Sequence, residues 1–197
     1  MGLESASALR SFNEELSSDK PSPGGGTAAA AAGSMAASLL LMVCRLTAKS
    51  KRHEDARPEL DRLESELRAL RDRLADLAEL DAAAYDDVVM ASRRMREAGT
   101  RESNELFQTA LKHAADVPMM TAEACLRVLE IARQVSQIGI SSASSDVRVA
   151  SLLAEAALKG ALANVDINLE SIADRDYVQA ASMRRDELLG RAARASR

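Results

Sequence analysis

The clearest hydrophobic periodicity in the chain runs from Pro58 to about Ala98. Leu60, Leu63, Leu67, Leu70, Leu74 and Leu77 recur at alternating three- and four-residue steps, which predicts the seam of a long coiled-coil-like helix. The same steps carry on to Ala84, Val88, Ala91 and Met95, but the position between Leu77 and Ala84 is Asp81. A carboxylate on an apolar seam is costly, so it is partnered, protonated or functional. The plain alternatives are a polar residue that specifies the bundle, or a seam that ends there. Tyr85 follows one turn on, and Glu79 falls off the seam and is expected to be solvated.

Around this element the pattern predicts further helices. Leu9, Phe12 and Leu16 give an amphipathic helix over about 5–19 that packs one stripe inward. Pro21-Ser22-Pro23-Gly24-Gly25-Gly26-Thr27 then interrupts the pattern, and a small-residue run from Ala28 to Met42 opens a helix reaching about Lys49. No charge lies between Pro21 and Cys44, so this stretch is long enough to span a bilayer. Its first part is made of loop-formers and the rest largely of Ala, Gly and Ser, so the expectation is the buried centre of a bundle and no membrane. Gly99 to Ser103 is a turn, with Ser103 or Asn104 capping a helix to about Ile138 that Pro118 should kink. Gly139 to Ser145 is a polar loop, and Ser145 and Asp146 are placed to cap a fifth helix. Asn164 and Asn168 continue the Val149, Leu153, Ala157, Gly160 face of that helix. A charged, peripheral helix over about Arg175 to Ala195 closes the chain. The fold class expected is all-α: one domain over 1–197, a helical bundle with a long coiled-coil-like helix and a central small-residue helix.

Composition removes several function classes. The net charge of −4 gives no basic footprint, and two Phe with two Tyr leave few stacking platforms, so no nucleic acid partner is expected. Cys44 and Cys125 sit in apolar helical surroundings and read as reduced core residues. With no apolar leader at the amino end, a cytoplasmic location is expected. Neither His53 nor His113 belongs to a ligand cluster, so no metal is expected. Lys49, Lys51, Arg52 and His53 read as a solvated basic helix end.

The loop at 21–27 carries the strongest signal for a site. Its prolines fix an extended entry, and its three glycines allow conformations or approaches that a Cβ forbids. Thr27 can cap the helix, leaving free N–H groups aimed at a ligand. Asn164 and Asn168 either bind a ligand or lock helices together. Asp146 precedes Asn164 by 18 residues, about 27 Å along a helix. The two therefore serve different ends of a long ligand or meet across a dimer.

Four motifs read together carry a resemblance. They are Pro-Ser-Pro-Gly-Gly-Gly-Thr at 21–27, Asp81-Ala-Ala-Ala-Tyr85, Val117-Pro118, and Ser145-Asp146 followed by Gly160-Ala161 and Asn164-Val165-Asp166-Ile167-Asn168. In this order and spacing the chain, from about Ala8 to Arg185, resembles the cyclodeaminase/cyclohydrolase family. The resemblance implies an all-helical homodimer that binds folate near the Gly-rich loop and the subunit interface. It also implies closure of 5-formimino-tetrahydrofolate to 5,10-methenyl-tetrahydrofolate with loss of ammonia, or hydrolysis of the methenyl compound to 10-formyl-tetrahydrofolate. Asp81 matches the family's candidate catalytic carboxylate, with Asp146 or Glu79 in support. Pro23, Gly24, Gly25, Gly26, Thr27, Tyr85, Ser145, Asn164 and Asn168 are the expected substrate-binding residues. A tetrahydrofolate derivative is the substrate, with no metal or redox cofactor. The chain departs from the family pattern at Ile140, usually Asn, at Glu79, often Asp, and near His53, where an aromatic is usual. Two alternatives stay open: a same-fold enzyme with another substrate, and a helical scaffold without catalysis.

Overall fold

In a computed structural model that describes residues 2–195, the chain forms six α-helices and two short 3-10 turns. The helices are α1 (Gly2–Leu16), α2 (Gly25–Ala48), α3 (Arg57–Ala98), α4 (Arg101–Ile138), α5 (Ser144–Leu169) and α6 (Arg175–Ala195). The 3-10 turns, Lys51–Ala56 and Ser141–Ala143, interrupt segments that the sequence pattern left as plain loop. The all-α expectation holds among the described residues.

Helix α2 is the hub, packed against α3, α4 and α5. Its small residues are the reason. Gly33 lies so close to its neighbours that an added Cβ would sit 2.6 Å from the Cys125 sulfur and 3.2 Å from Leu74. On the α5 side, a Cβ at Gly160 would be 3.6 Å from that of Ala29. This helix is long and apolar enough to cross a membrane by length and composition alone. Ala30, Ala36, Ala37, Leu40 and Val43 are nonetheless fully enclosed by protein. Cys44 and Cys125 are free and buried, and desolvation pushes their thiols up to about 11 and about 12.

The α3 seam packs as its spacing predicts, with Leu60, Leu63, Leu67, Leu74, Leu77 and Ala84 all buried. α3 runs antiparallel to α2. Arg45 pairs with Glu64 at 2.9 Å, Ser34 Oγ donates to the Arg71 carbonyl at 3.1 Å, and Thr27 meets Asp81. The last 17 residues of α3, from 82 to 98, therefore extend past the start of α2, about 25 Å at helical rise. A hairpin to α4 closes this projection, turned by Gly99 in the left-handed region at φ 60°. Thr100 and Ser103 then form a reciprocal capping box. The cap is thus Thr100, one turn earlier than the Ser103 or Asn104 expected, because Ser103 serves as the returning N3 partner.

Three other expectations change. α1 stays at the margin: Leu9 is 51% exposed, and neither Phe12 nor Leu16 packs against the core. The amino end of α2 is capped by Gly24, and Thr27 lies within the first turn, so Thr27 is no cap. At α5, the 3-10 turn delivers the chain into the helix through Ala143 without a side-chain cap, so neither Ser145 nor Asp146 has that role.

α4 continues through Pro118. Proline has no N–H to give the carbonyl four residues back, which here belongs to Ala114. The Asn168 Nδ2 donates to that carbonyl at 2.6 Å, replacing the lost bond from outside the helix.

Candidate active site at the amino end of α2

The site follows from one close approach. Asp81, arriving on the α3 seam, lays its carboxylate directly on the first turn of α2. Thr27 Oγ1 donates to Asp81 Oδ2 at 3.0 Å, and the Thr27 backbone N–H also points to this carboxylate. Thr27 is the third residue of the helix after the Gly24 cap, so its N–H is among those the helix cannot satisfy internally. The positive end of the helix dipole thus faces the carboxylate.

Gly26 is required by the same contact. A Cβ on it would fall 2.1 Å from Asp81 Oδ1 and 2.6 Å from Cγ, well inside van der Waals contact. Gly25 faces Asn164 in a looser version of the same arrangement, its Cβ position being 3.4 Å from Nδ2. None of the three loop glycines has positive φ, a conformation confined to Gly99 among the described residues. Close approach, and not unusual backbone conformation, explains Gly26, whereas a methyl at Gly25 would meet Asn164 at ordinary contact distance. The loop enters through a cis Ser22–Pro23 peptide bond.

Two influences on the Asp81 carboxyl compete. Partial burial disfavours the charged form and is the larger, while the Thr27 hydroxyl and N–H favour it. The net result is a carboxyl raised above the usual aspartate range. The group is hydrogen-bonded yet incompletely neutralised, a suitable state for taking up and releasing a proton.

The predicted site residues divide into two groups. Pro23, Gly24, Gly25, Gly26, Thr27, Asp81 and Asn164 gather at one end of the bundle, with Tyr85 one turn further along α3 and exposed. Asn164 donates to the Gly160 carbonyl at 2.9 Å, and both of its amide atoms lie close to Gly25, Nδ2 at 3.4 Å and Oδ1 at 3.7 Å from the position of an added Cβ. Asn168 is spent on the Ala114 carbonyl, the helix-locking alternative. Glu79 is exposed, and two residues of helix turn it away from the Asp81 face. Ser145 and Asp146 stand at the opposite end of the bundle. There Ile140 N–H donates to Thr47 Oγ1 at 3.1 Å, and Gly139 abuts Val43 near the carboxyl end of α2.

Sequence reasoning missed the Gly26–Asp81 contact and the partnership of Thr27 with Asp81. The spacing of Leu60 to Leu77 places Asp81 on the buried face but does not say which turn of α2 it meets.

Comparisons with known proteins bear on the chain as a whole. The formiminotransferase-cyclodeaminase family model matches residues 8–187. The chain belongs to that family. A methenyltetrahydrofolate cyclohydrolase of Methylorubrum extorquens is 34% identical over 173 residues, covering 87% of this chain and 83% of that protein. The formimidoyltransferase-cyclodeaminase of Sus scrofa is 28% identical over 92% of this chain. The chain spans only 34% of that longer protein's length. Among solved structures, a formiminotetrahydrofolate cyclodeaminase from Thermotoga maritima superposes with a TM-score of 0.88 at 29% identity, covering 95% of this chain and 91% of that one.

Proposed function

We propose that this family member is a folate one-carbon enzyme, a methenyltetrahydrofolate cyclohydrolase, a formiminotetrahydrofolate cyclodeaminase or both, with Asp81 as its acid/base. The observation that carries the assignment is the Asp81 carboxylate held against Gly26 and Thr27 with a raised proton affinity. Both reactions pass through a tetrahedral carbon between two folate nitrogens. Hydrolysis requires a base to take a proton from water, and cyclodeamination an acid to protonate the departing ammonia. Ionised, the same group stabilises the cationic methenyl or amidinium carbon. Neither reaction transfers electrons, so no redox cofactor enters the proposal. Asn164 and the N–H groups of the first α2 turn supply polar contacts for a pterin or carbonyl.

A homodimer completes this reading. On α2, Met35, Met42 and Leu46 are 46%, 38% and 41% exposed, a stripe with no acidic residue along a helix of 24 residues. A two-fold axis through the middle of α2 would exchange its ends, about 36 Å apart at helical rise. The partner's Gly139–Asp146 segment, seated near the carboxyl end of its own α2, would then lie beside Gly24–Thr27. Ser145 and Asp146 reach the Asp81 site in that arrangement and in no single chain. Mixing Asp81→Asn with Asp146→Asn chains tests it: hybrid dimers should regain activity that neither parent has, while a mixture as inactive as its parents would oppose shared sites.

A further inference from the structure

A second feature lies apart from Asp81 and shares no residue with its site. Between α4 and α6 opens a cleft of about 460 Å3, lined by Arg127, Arg133, Arg191 and Arg194 with Glu130 as its one acidic residue. That is a local excess of positive charge in a chain of net charge −4. The four arginines are of two kinds. Arg127 and Arg191 are fixed: Glu130 accepts from Arg127 Nη1 at 3.3 Å and from Arg191 Nη2 at 2.8 Å. Arg127 is further clamped by both oxygens of Glu66, at 2.5 and 2.9 Å. The guanidinium groups of Arg133 and Arg194 make no ion pair or hydrogen bond among the described residues. Gln134 and Gln137 complete the wall with neutral polar groups.

We infer that this cleft binds a small phosphate-bearing polyanion. Two unpaired guanidiniums, Arg133 from α4 and Arg194 from α6, stand beside the fixed Arg127–Glu130–Arg191 network and can each give paired N–H donors to oxyanions. The volume is in the range of small-molecule sites. Tetrahedral phosphates accept from several directions at once, which suits donors arriving from two helices. The inference does not depend on Asp81 or on folate chemistry.

Calorimetric titration with pyrophosphate tests it, on the intact chain and on Arg133→Gln/Arg194→Gln. Removing two unpaired surface charges should leave melting unchanged, so lost binding would not reflect lost fold. Wild type is expected to bind, and the double variant to bind about tenfold more weakly or worse, while Arg93→Gln on the α3–α4 projection binds like wild type. No wild-type binding at millimolar pyrophosphate, or equal affinity in the double variant, would overturn the site. Citrate held as tightly as pyrophosphate would overturn the phosphate assignment.

Discussion

Gly26→Ala is the most incisive perturbation of the site, since it leaves every polar group in place. The new methyl would lie 2.1, 2.6 and 2.7 Å from the Oδ1, Cγ and Oδ2 atoms of Asp81. All three distances must grow by roughly an ångström before ordinary contact is restored, and the helix backbone beneath Gly26 cannot yield that much. The carboxylate must therefore swing away, giving up its hydrogen bond to Thr27. Overpacking of this kind costs about 1–3 kcal/mol, and loss of one charge-assisted hydrogen bond falls within that range. Trimming the carboxylate removes the collision, so Gly26→Ala should cost much less stability in an Asp81→Ala background. The expected coupling is about 1–2 kcal/mol, read from urea unfolding of the four chains. Turnover of Gly26→Ala should fall nearly as far as that of Asp81→Ala. Additive stabilities, or a Gly26→Ala chain with wild-type turnover, would refute the close approach.

Three further outcomes are expected. Asn168→Ala should cost about 1–3 kcal/mol by stranding the Ala114 carbonyl, and far less in a Pro118→Ala background, where an alanine N–H can reach that carbonyl; equal cost in both, by chemical denaturation, would separate Asn168 from Pro118. Because the folded chain raises the Asp81 carboxyl, it holds that proton more tightly than the unfolded chain does, and stability falls as pH rises between the two pKa values. Asp81→Asn should accordingly melt above wild type at about pH 8, with the gap closing below about pH 4, where both states are protonated; a lower melting point at about pH 8 would contradict the burial argument. Thr27→Val removes a donor that lowers the Asp81 pKa, so the acid limb of the pH–rate profile should move to higher pH; an unmoved limb would mean that the hydroxyl does not tune this carboxyl.

Much of the architecture was legible because helical spacing is a local property. Leu60 to Leu77 define a buried face by three- and four-residue steps, and the same steps place Asp81 on it. The small residues of α2 likewise announce close neighbours. Tertiary exchange of partners was not legible. Thr27 has the composition of a cap, yet its hydroxyl goes to a carboxylate 54 residues away, and Gly24 begins the helix instead. Asn168 has the look of a ligand-binding amide, yet the carbonyl freed by Pro118 takes it. Asp146 and Asp81 belong to one sequence pattern but to opposite ends of the bundle, because Asp146 lies in the first turn of a helix 26 residues long whose far end carries Asn164. The proposed dimer is what would unite them.

The central claim is that Asp81 carries the proton chemistry. The decisive measurement follows the absorbance of methenyl-tetrahydrofolate as it forms and decays, with wild type and Asp81→Asn compared at equal concentration. Wild type should turn over one or both folates, and a folded Asp81→Asn should be slower by about 10²–10⁴-fold. Turnover by Asp81→Asn equal to wild type would contradict the assignment, and inertness of wild type toward both folates would contradict the substrate.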